Sequence, residues 1–184
     1  ANGIGSKRGV AYSLGSLARM SSLIGETAKA IEYYTQALQL SREIENRHHE
    51  GVLLGNLGDI YIRLGQWVDT EDVLIQAIEI CTALFPPAAG AFSGSLAWVY
   101  AKQSKMEEAK KLLSEGESLV EVYPLEHAKF LCKKAKILHM VGEIDSVQEA
   151  IEQAKSISEK VSKTGDSALV RIIVETTAFV EISS

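Results

Sequence analysis

The sequence predicts an all-α fold, in which four antiparallel helix hairpins stack into a right-handed α-solenoid and a further helix follows at the C-terminal end. The first observation is a stretch, residues 51–77, whose apolar residues recur at helical spacing on both sides of Gly65. The second is its repetition, because the same turn recurs at Gly25, Gly65, Ser104 and Gly142, at spacings of 40, 39 and 38 residues. Self-similarity at such a period indicates a helical repeat array.

When the four units are aligned at these spacings, each set of equivalent positions forms a column, and the alignment is the register of the repeat. The third observation is that two columns contain only small residues. Two helices of a hairpin cross closely only where one side chain at the crossing is very small, and large neighbours then fill the grooves. The first column holds Ala18, Gly58, Ala97 and Ala135, the second holds Ala37, Ala77, Gly116 and Ala154, and a large column holds Tyr34, Leu74, Leu113 and Ile151.

The register also sets the boundaries of the elements. We expect repeat units at about 8–47, 48–86, 87–124 and 125–163, and a terminal helix over 166–182, all within a single domain of 1–184. Residues 1–5 are expected to be a flexible lead-in or a tag remnant. The terminal helix is apolar nearly all round, which is typical of a helix buried on more than one side. We therefore expect Ile172, Phe179 and Ile182 to contact a further repeat or a second copy of the chain.

The order of small and large columns, clearest in NLGDIY (Asn56 to Tyr61), resembles the tetratricopeptide repeat. The units are longer than the usual 34 residues, which is similar to the long-helix variety of kinesin light chains and many bacterial signalling proteins. The resemblance covers roughly residues 8–163. It implies that the first helix of each unit lines a concave groove, which binds a peptide or protein segment. It also implies a larger regulatory protein or a free-standing adaptor as the setting.

By this register, twelve side chains are predicted to face the groove: Tyr12, Ser16, Arg19, Asn56, Asp59, Arg63, Ser95, Trp98, Lys102, Lys129, Lys133 and Lys136. In the family, an asparagine aligned with Asn56 often holds the peptide backbone, but the equivalent positions are Ser16, Ser95 and Lys133, so no asparagine ladder forms. Asp59 is the one acid in these columns. The local excess of positive charge predicts an acidic peptide or a C-terminal carboxylate as the partner, with apolar contacts from Tyr12 and Trp98.

Composition argues against several other classes of function. A net charge of −5 gives no support to a nucleic-acid partner, and no apolar run approaches the roughly 20 residues of a membrane span. Cys81 and Cys132 lie in different units without metal spacing, which favours a reducing, cytoplasmic setting. His48 and His49 point about 100° apart on a helix, so we interpret them as a solvated helix start and expect no metal.

No catalytic motif is evident, so the prediction is a binding protein without enzymatic activity or cofactor. The alternative is a structural module that self-assembles through its terminal helices and binds no peptide.

Overall fold

The computed structural model describes residues 2–161 and 167–182. Over these residues it contains nine helices and no strand, which confirms the predicted all-α repeat fold. They are α1 (Asn2–Leu23), α2 (Thr27–Glu43), α3 (Arg47–Leu64), α4 (Trp67–Leu84), α5 (Pro86–Lys102), α6 (Met106–Val120), α7 (Pro124–Met140), α8 (Ile144–Val161) and α9 (Ser167–Ile182). Position 166, where the terminal helix was expected to begin, lies outside the described residues.

The expectation of a flexible lead-in is wrong for residues 2–5, since α1 already begins at Asn2. No proline interrupts the helix before Lys7, and Lys7 Nζ is 2.8 Å from a carboxylate oxygen of Glu43 on α2. Gly3 and Gly5 lower the helix propensity of this first turn without breaking it.

The chain divides into two compact units, residues 1–89 and 90–184. The N-terminal unit contains the hairpins α1–α2 and α3–α4 and the first turn of α5. The C-terminal unit contains the remainder of α5, together with α6, the hairpin α7–α8, and α9. In the C-terminal unit, Leu169 and Ile173 anchor α9 in an apolar cluster formed by α7 and α8.

The four predicted turns all adopt the left-handed backbone conformation. Gly25, Gly65 and Gly142 have φ between +70° and +82°, and Ser104 has φ of +62°. The amide of the following residue then bonds to a carbonyl five residues back, as Gln66 N does to Tyr61 O at 3.0 Å. This geometry satisfies carbonyls at the end of the first helix and reverses the chain.

The small columns lie at the helix crossings, as predicted. A Cβ on Gly58 would lie 2.7 Å from Cδ2 of Leu74, on the partner helix of the same hairpin. A Cβ on Gly116 would lie 2.8 Å from Cβ of Ser93 and 3.0 Å from the Phe130 ring. Backbones therefore approach at these positions to a distance that no larger residue permits without displacement.

Polar contacts join consecutive hairpins within each unit. In the N-terminal unit, the buried Glu50 carboxylate binds Arg42 at 2.8 Å and Arg47 at 2.6 Å. In the C-terminal unit, the Glu117 carboxylate of α6 binds Lys134 at 2.6 Å and His127 Nε2 at 3.2 Å, both on α7. Each carboxylate thus has cationic or hydrogen-bonding partners that offset the cost of its burial.

Candidate binding grooves

The N-terminal unit has an open pocket of about 290 Å³ between α1 and α3. Tyr12, Ser16 and Arg19 line it from α1, and Asn56 lines it from α3. These are four of the residues predicted to face the groove, and the structure brings them together. Its remaining lining is mostly apolar or aromatic and comes from Gly15, His48, His49, Val52, Leu53 and Phe85.

Aromatic contacts build the walls of this pocket. The Tyr12 ring lies 4.1 Å from the His49 ring, and the His48 ring lies 5.3 Å from the Phe85 ring, measured between centroids. His49 Nδ1 is 2.8 Å from the Ser41 hydroxyl, and burial lowers the pKa of His49. The imidazole therefore remains neutral near pH 7 and forms a rigid wall. Gly15 makes room for it, because a Cβ there would lie 3.2 Å from His49 Nε2.

The interpretation of this segment as a solvated helix start is wrong for His49 and Glu50, because both are buried. Two features of the sequence indicate that this part of the helix is buried. The Asn46 side chain accepts a hydrogen bond from the His49 amide at 3.2 Å and fixes the start of α3. Glu50, Leu53 and Leu57 then follow at spacings of three and four residues, on one face of the helix.

Arg19 contributes a positive charge to the lining of the pocket. Arg19 is exposed, and Arg63, also exposed, donates a hydrogen bond to the Ser22 hydroxyl. Asp59 is exposed nearby. Burial raises the pKa of the Tyr34 hydroxyl, Arg19 and Arg63 act against this rise, and Asp59 adds to it.

In the C-terminal unit, the predicted groove residues lie in more closed surroundings. Ser95 is buried, and its hydroxyl accepts a hydrogen bond from Lys133 Nζ at 2.7 Å. Lys133 also donates to the Ala91 carbonyl at 3.3 Å. Lys129 forms an ion pair with Glu126 at 3.1 Å.

Phe179, from the terminal helix, lies among the predicted groove residues of the C-terminal unit. Its ring centroid is 6.3 Å from that of Trp98 and 6.0 Å from that of His139. Lys136 Nζ lies 5.8 Å from the Phe179 ring, and Lys102 Nζ lies 4.8 Å from the Trp98 ring. Both lysines thus make cation–π contacts, which are worth about 0.5–2 kcal/mol.

The other two residues predicted to form a terminal interface are placed differently. Ile172 is half-buried and packs against the cluster of α7 and α8. The side chain of Ile182 lies outside the described residues. Among the described side chains of α9, the large apolar ones that are exposed are instead Val170 and Val174. Whether any of these residues forms an interface stays a prediction.

Among the described side chains, no three of His, Cys, Asp or Glu lie close enough together to hold a metal ion. None of the described helices combines the length and apolar character needed to cross a bilayer.

Antiparallel hairpins with close helix crossings at Gly58 and Gly116, and with left-handed turns at Gly25, Gly65, Ser104 and Gly142, define a helical-repeat protein. A family model described as tetratricopeptide repeat matches residues 13–47 and 53–87. These two segments match tetratricopeptide repeats, which confirms the resemblance predicted from the sequence. Repeats of this family are in general non-catalytic protein–protein interaction modules. No curated protein matches this sequence.

Solved structures share the fold. BtubC (BKLC) from P. vanneervenii matches with a TM-score of 0.68 at 16% identity, over 83% of this chain and 64% of that chain. A Podosopora anserina protein assigned as a kinesin light chain, with nearly identical TPR-like repeats, matches with a TM-score of 0.60 at 22% identity, over 85% of this chain and 77% of that one. A second crystal structure of that Podosopora anserina protein matches with a TM-score of 0.63 at 21% identity, over 84% and 77% of the two chains.

Proposed function

We propose that the chain is a non-catalytic interaction module that binds a peptide or protein segment in the groove between α1 and α3. The observation that carries this proposal is the pocket of about 290 Å³, which combines a mostly apolar lining with Arg19 and Asn56 at its edge. Such a combination suits a peptide, because apolar walls take up a side chain while the few polar groups fix its orientation. We further propose a regulatory protein of the cytoplasm as the setting, which the two unpaired, buried cysteines support.

The proposed partner is acidic. Arg19 lines the pocket of the N-terminal unit, and among the predicted groove residues of that unit two arginines, Arg19 and Arg63, accompany a single acid, Asp59. In the C-terminal unit, Lys102, Lys133 and Lys136 make no ion pair with a carboxylate among the described residues. Positive charge that is not neutralised within the protein attracts and orients an anionic segment. An acidic peptide or a C-terminal carboxylate provides that charge.

The experiment selects peptides from a random library against the wild-type protein and measures the binding of the selected peptides by fluorescence polarisation. We expect the selected peptides to carry net negative charge and to bind more weakly at high salt. Arg19→Glu should weaken binding by about tenfold or more, which corresponds to about 1.4 kcal/mol.

Arg8→Glu is the matched control, since Arg8 is an exposed arginine of α1 that does not line the pocket. It introduces the same change in net charge and should leave affinity within about twofold. Equal loss in both variants would show that only overall charge matters. Selected peptides that are neutral and insensitive to Arg19→Glu would contradict the acidic partner, and a library that yields no binder would contradict the groove as a peptide site.

A further inference from the structure

The pocket between α1 and α3 is elongated along the two helices, which run in the same direction. Tyr12 of α1 packs on His49 of α3, and later in both helices the Ser22 hydroxyl accepts a hydrogen bond from Arg63. The residues of α1 that line the pocket span two helical turns, and so do those of α3. The pocket therefore follows the groove between the helices.

The two ends of the pocket differ in chemistry. Tyr12 and His49 lie at one end, which we call the ring end. Arg19 and Asn56 each lie seven residues further along the same helix, at what we call the polar end. Seven residues are two helical turns, which places the two ends about 10.5 Å apart along the groove. A ligand that fills the pocket therefore contacts both ends at once.

The ring end favours an aromatic side chain of the ligand. Besides Tyr12 and His49, it contains the paired rings of His48 and Phe85. Tyr12 and Phe85 are 46% and 41% exposed, so parts of their rings remain accessible from the pocket. Aromatic rings pack on one another in offset or edge-to-face arrangements at centroid distances of about 4.5–7 Å. A ligand ring can therefore extend the packing that these side chains already make.

The polar end favours a carboxylate. Arg19 is exposed, and its planar guanidinium group offers a fork of N–H donors that matches the two oxygens of a carboxylate. Asn56 is half-buried beside it and offers both donors and an acceptor from its amide group. The two residues can therefore bind an acidic side chain and a neighbouring peptide group of the ligand.

The dimensions of the pocket suit an extended chain rather than a helix. Its volume of about 290 Å³, divided by the length of about 10.5 Å, gives a mean cross-section of about 28 Å². A helix with its side chains is at least about 10 Å across, which corresponds to about 80 Å². A single extended strand needs only about 4.7–4.9 Å of width. The pocket therefore has room for an extended segment, and a helix would not enter it.

Of the two regular extended conformations, polyproline II matches the distance between the ends better. It has three residues per turn and rises about 3.1 Å per residue, so residues i and i+3 share a face about 9.3 Å apart. In a β-strand, side chains alternate between faces, so residues i and i+2 share a face at about 6.7 Å, and i and i+4 at about 13 Å. The first spacing differs from 10.5 Å by about 1 Å, whereas the β-strand spacings differ by about 3–4 Å.

We propose that this pocket binds a segment in the polyproline II conformation that carries an aromatic residue and an acidic residue three positions apart. The aromatic side chain lies at the ring end and the carboxylate binds Arg19. This inference rests on the proposed function of the same groove, to which it adds the spacing and conformation of the ligand. Polyproline II is a major conformer of unfolded chains, so such a segment loses little conformational freedom when it binds.

The experiment measures the binding of short capped peptides to the wild-type protein by fluorescence polarisation. Each peptide contains one phenylalanine and one glutamate, separated by one, two, three or six alanines. We expect the peptide with two alanines to bind about fivefold or more tightly than the others. Replacing the two alanines with prolines should tighten binding by a further twofold or about that, because proline holds the polyproline II conformation before binding.

Two variants test the two ends of the pocket. Glutamine in place of the peptide's glutamate should weaken binding to the wild-type protein by about fivefold, and Arg19→Gln should abolish this difference. Arg63→Gln is the matched control and should preserve it, since Arg63 is an exposed arginine of α3 that does not line the pocket. Phe85→Ala should abolish the preference for two alanines, because the peptide's phenylalanine then loses a ring that holds it at its end.

The spacing series separates the possible failures. A preference for one or three alanines would indicate a β-strand, a preference for six would indicate a helix, and either would overturn the proposal. Equal affinities across the series, or a glutamate preference that survives Arg19→Gln, would also overturn it and leave the peptide-binding function in place. The same holds if these peptides do not bind but peptides selected from the random library do. A library without any binder would instead remove the proposed function, and this inference with it.

Discussion

Gly58 stands at the closest crossing of the α3–α4 hairpin, and a side chain there should overpack it. A Cβ would lie 2.7 Å from Cδ2 and 2.8 Å from Cγ of Leu74, and 3.3 Å from Cγ2 of Val73. Leu74 is fully buried. Overpacking a filled core costs about 1–3 kcal/mol, while replacing a helical glycine gains up to about 1 kcal/mol of helix propensity.

The balance differs with the size of the new side chain. Gly58→Ala should lower the free energy of unfolding by about 1 kcal/mol, because the gain in helix propensity partly offsets the clash. Gly58→Leu should lower it by about 3 kcal/mol or more, because three further carbon atoms must enter the same space. The free energies of unfolding of the two variants should therefore differ by more than helix propensity can account for. The difference should also exceed the error of a urea titration.

The two tryptophans allow the two units to be followed separately. Trp67 lies in the N-terminal unit and Trp98 in the C-terminal unit, and the chain has no other tryptophan. In a Trp98→Phe background, the fluorescence of Trp67 reports the urea unfolding of the unit that contains Gly58. The expected result is a lower urea midpoint for Gly58→Leu than for the parent.

Gly9→Ala is the control with the opposite sign. Gly9 also lies within a helix, but a Cβ at this position would meet nothing within 4 Å. Replacing Gly9 with alanine should therefore stabilise the N-terminal unit by about 0.5–1 kcal/mol. If Gly58→Leu unfolds at the same urea concentration as the parent, the crossing does not lie at Gly58 and the repeat register is refuted.

Three further outcomes follow from buried titratable groups. Burial acts to raise the pKa of Glu117, but hydrogen bonds from Lys134 and His127 outweigh it and lower the pKa. Glu117→Gln should therefore cost the C-terminal unit on the order of 1–2 kcal/mol at pH 7. This difference from wild type should disappear as the pH falls below about 4 in urea titrations. Burial also lowers the pKa of His49, so the unfolded chain binds the proton first. The stability of the N-terminal unit should fall below about pH 6.5 in wild type but not in His49→Asn, as urea midpoints would show. Burial raises the pKa of Cys81 to about 11, so a thiol reagent at pH 8 should label it far more slowly in the native protein than in urea.

The sequence was sufficient to predict the repeat, because the constraints behind it are local. A left-handed residue is needed at each turn, and a small residue is needed wherever two backbones approach. Because of these two requirements, similar residue types recur at equivalent positions of each unit, as Gly65 does at the turn and Gly58 at the crossing. Ser104 shows that the period carries more information than the residue type, since a serine holds the left-handed turn where the other three units have glycine.

The surroundings of the groove residues could not be predicted in the same way. The register assigns Ser95, Trp98 and Lys136 to groove columns, but whether each is covered depends on side chains from other helices. Lys133 reaches across from α7 to the Ser95 hydroxyl, and Phe179 reaches Trp98 and Lys136 from α9. Aligning the four hairpins predicts only contacts between residues of those hairpins. It cannot predict the contacts of Phe179, because this residue belongs to α9, outside the four hairpins.

These contacts bear on how an anionic segment would bind the C-terminal unit. Lys102 and Lys136 lie against aromatic rings rather than carboxylates, and such contacts contribute only about 0.5–2 kcal/mol each. A carboxylate can replace a ring as the partner of an ammonium group, since charge-assisted hydrogen bonds are stronger than neutral contacts. The rings would then be free to contact the apolar side chains of the same segment. The aromatic contacts thus hold the lysines in position without neutralising them, whereas an ion pair like that of Lys129 with Glu126 leaves less charge to attract a ligand.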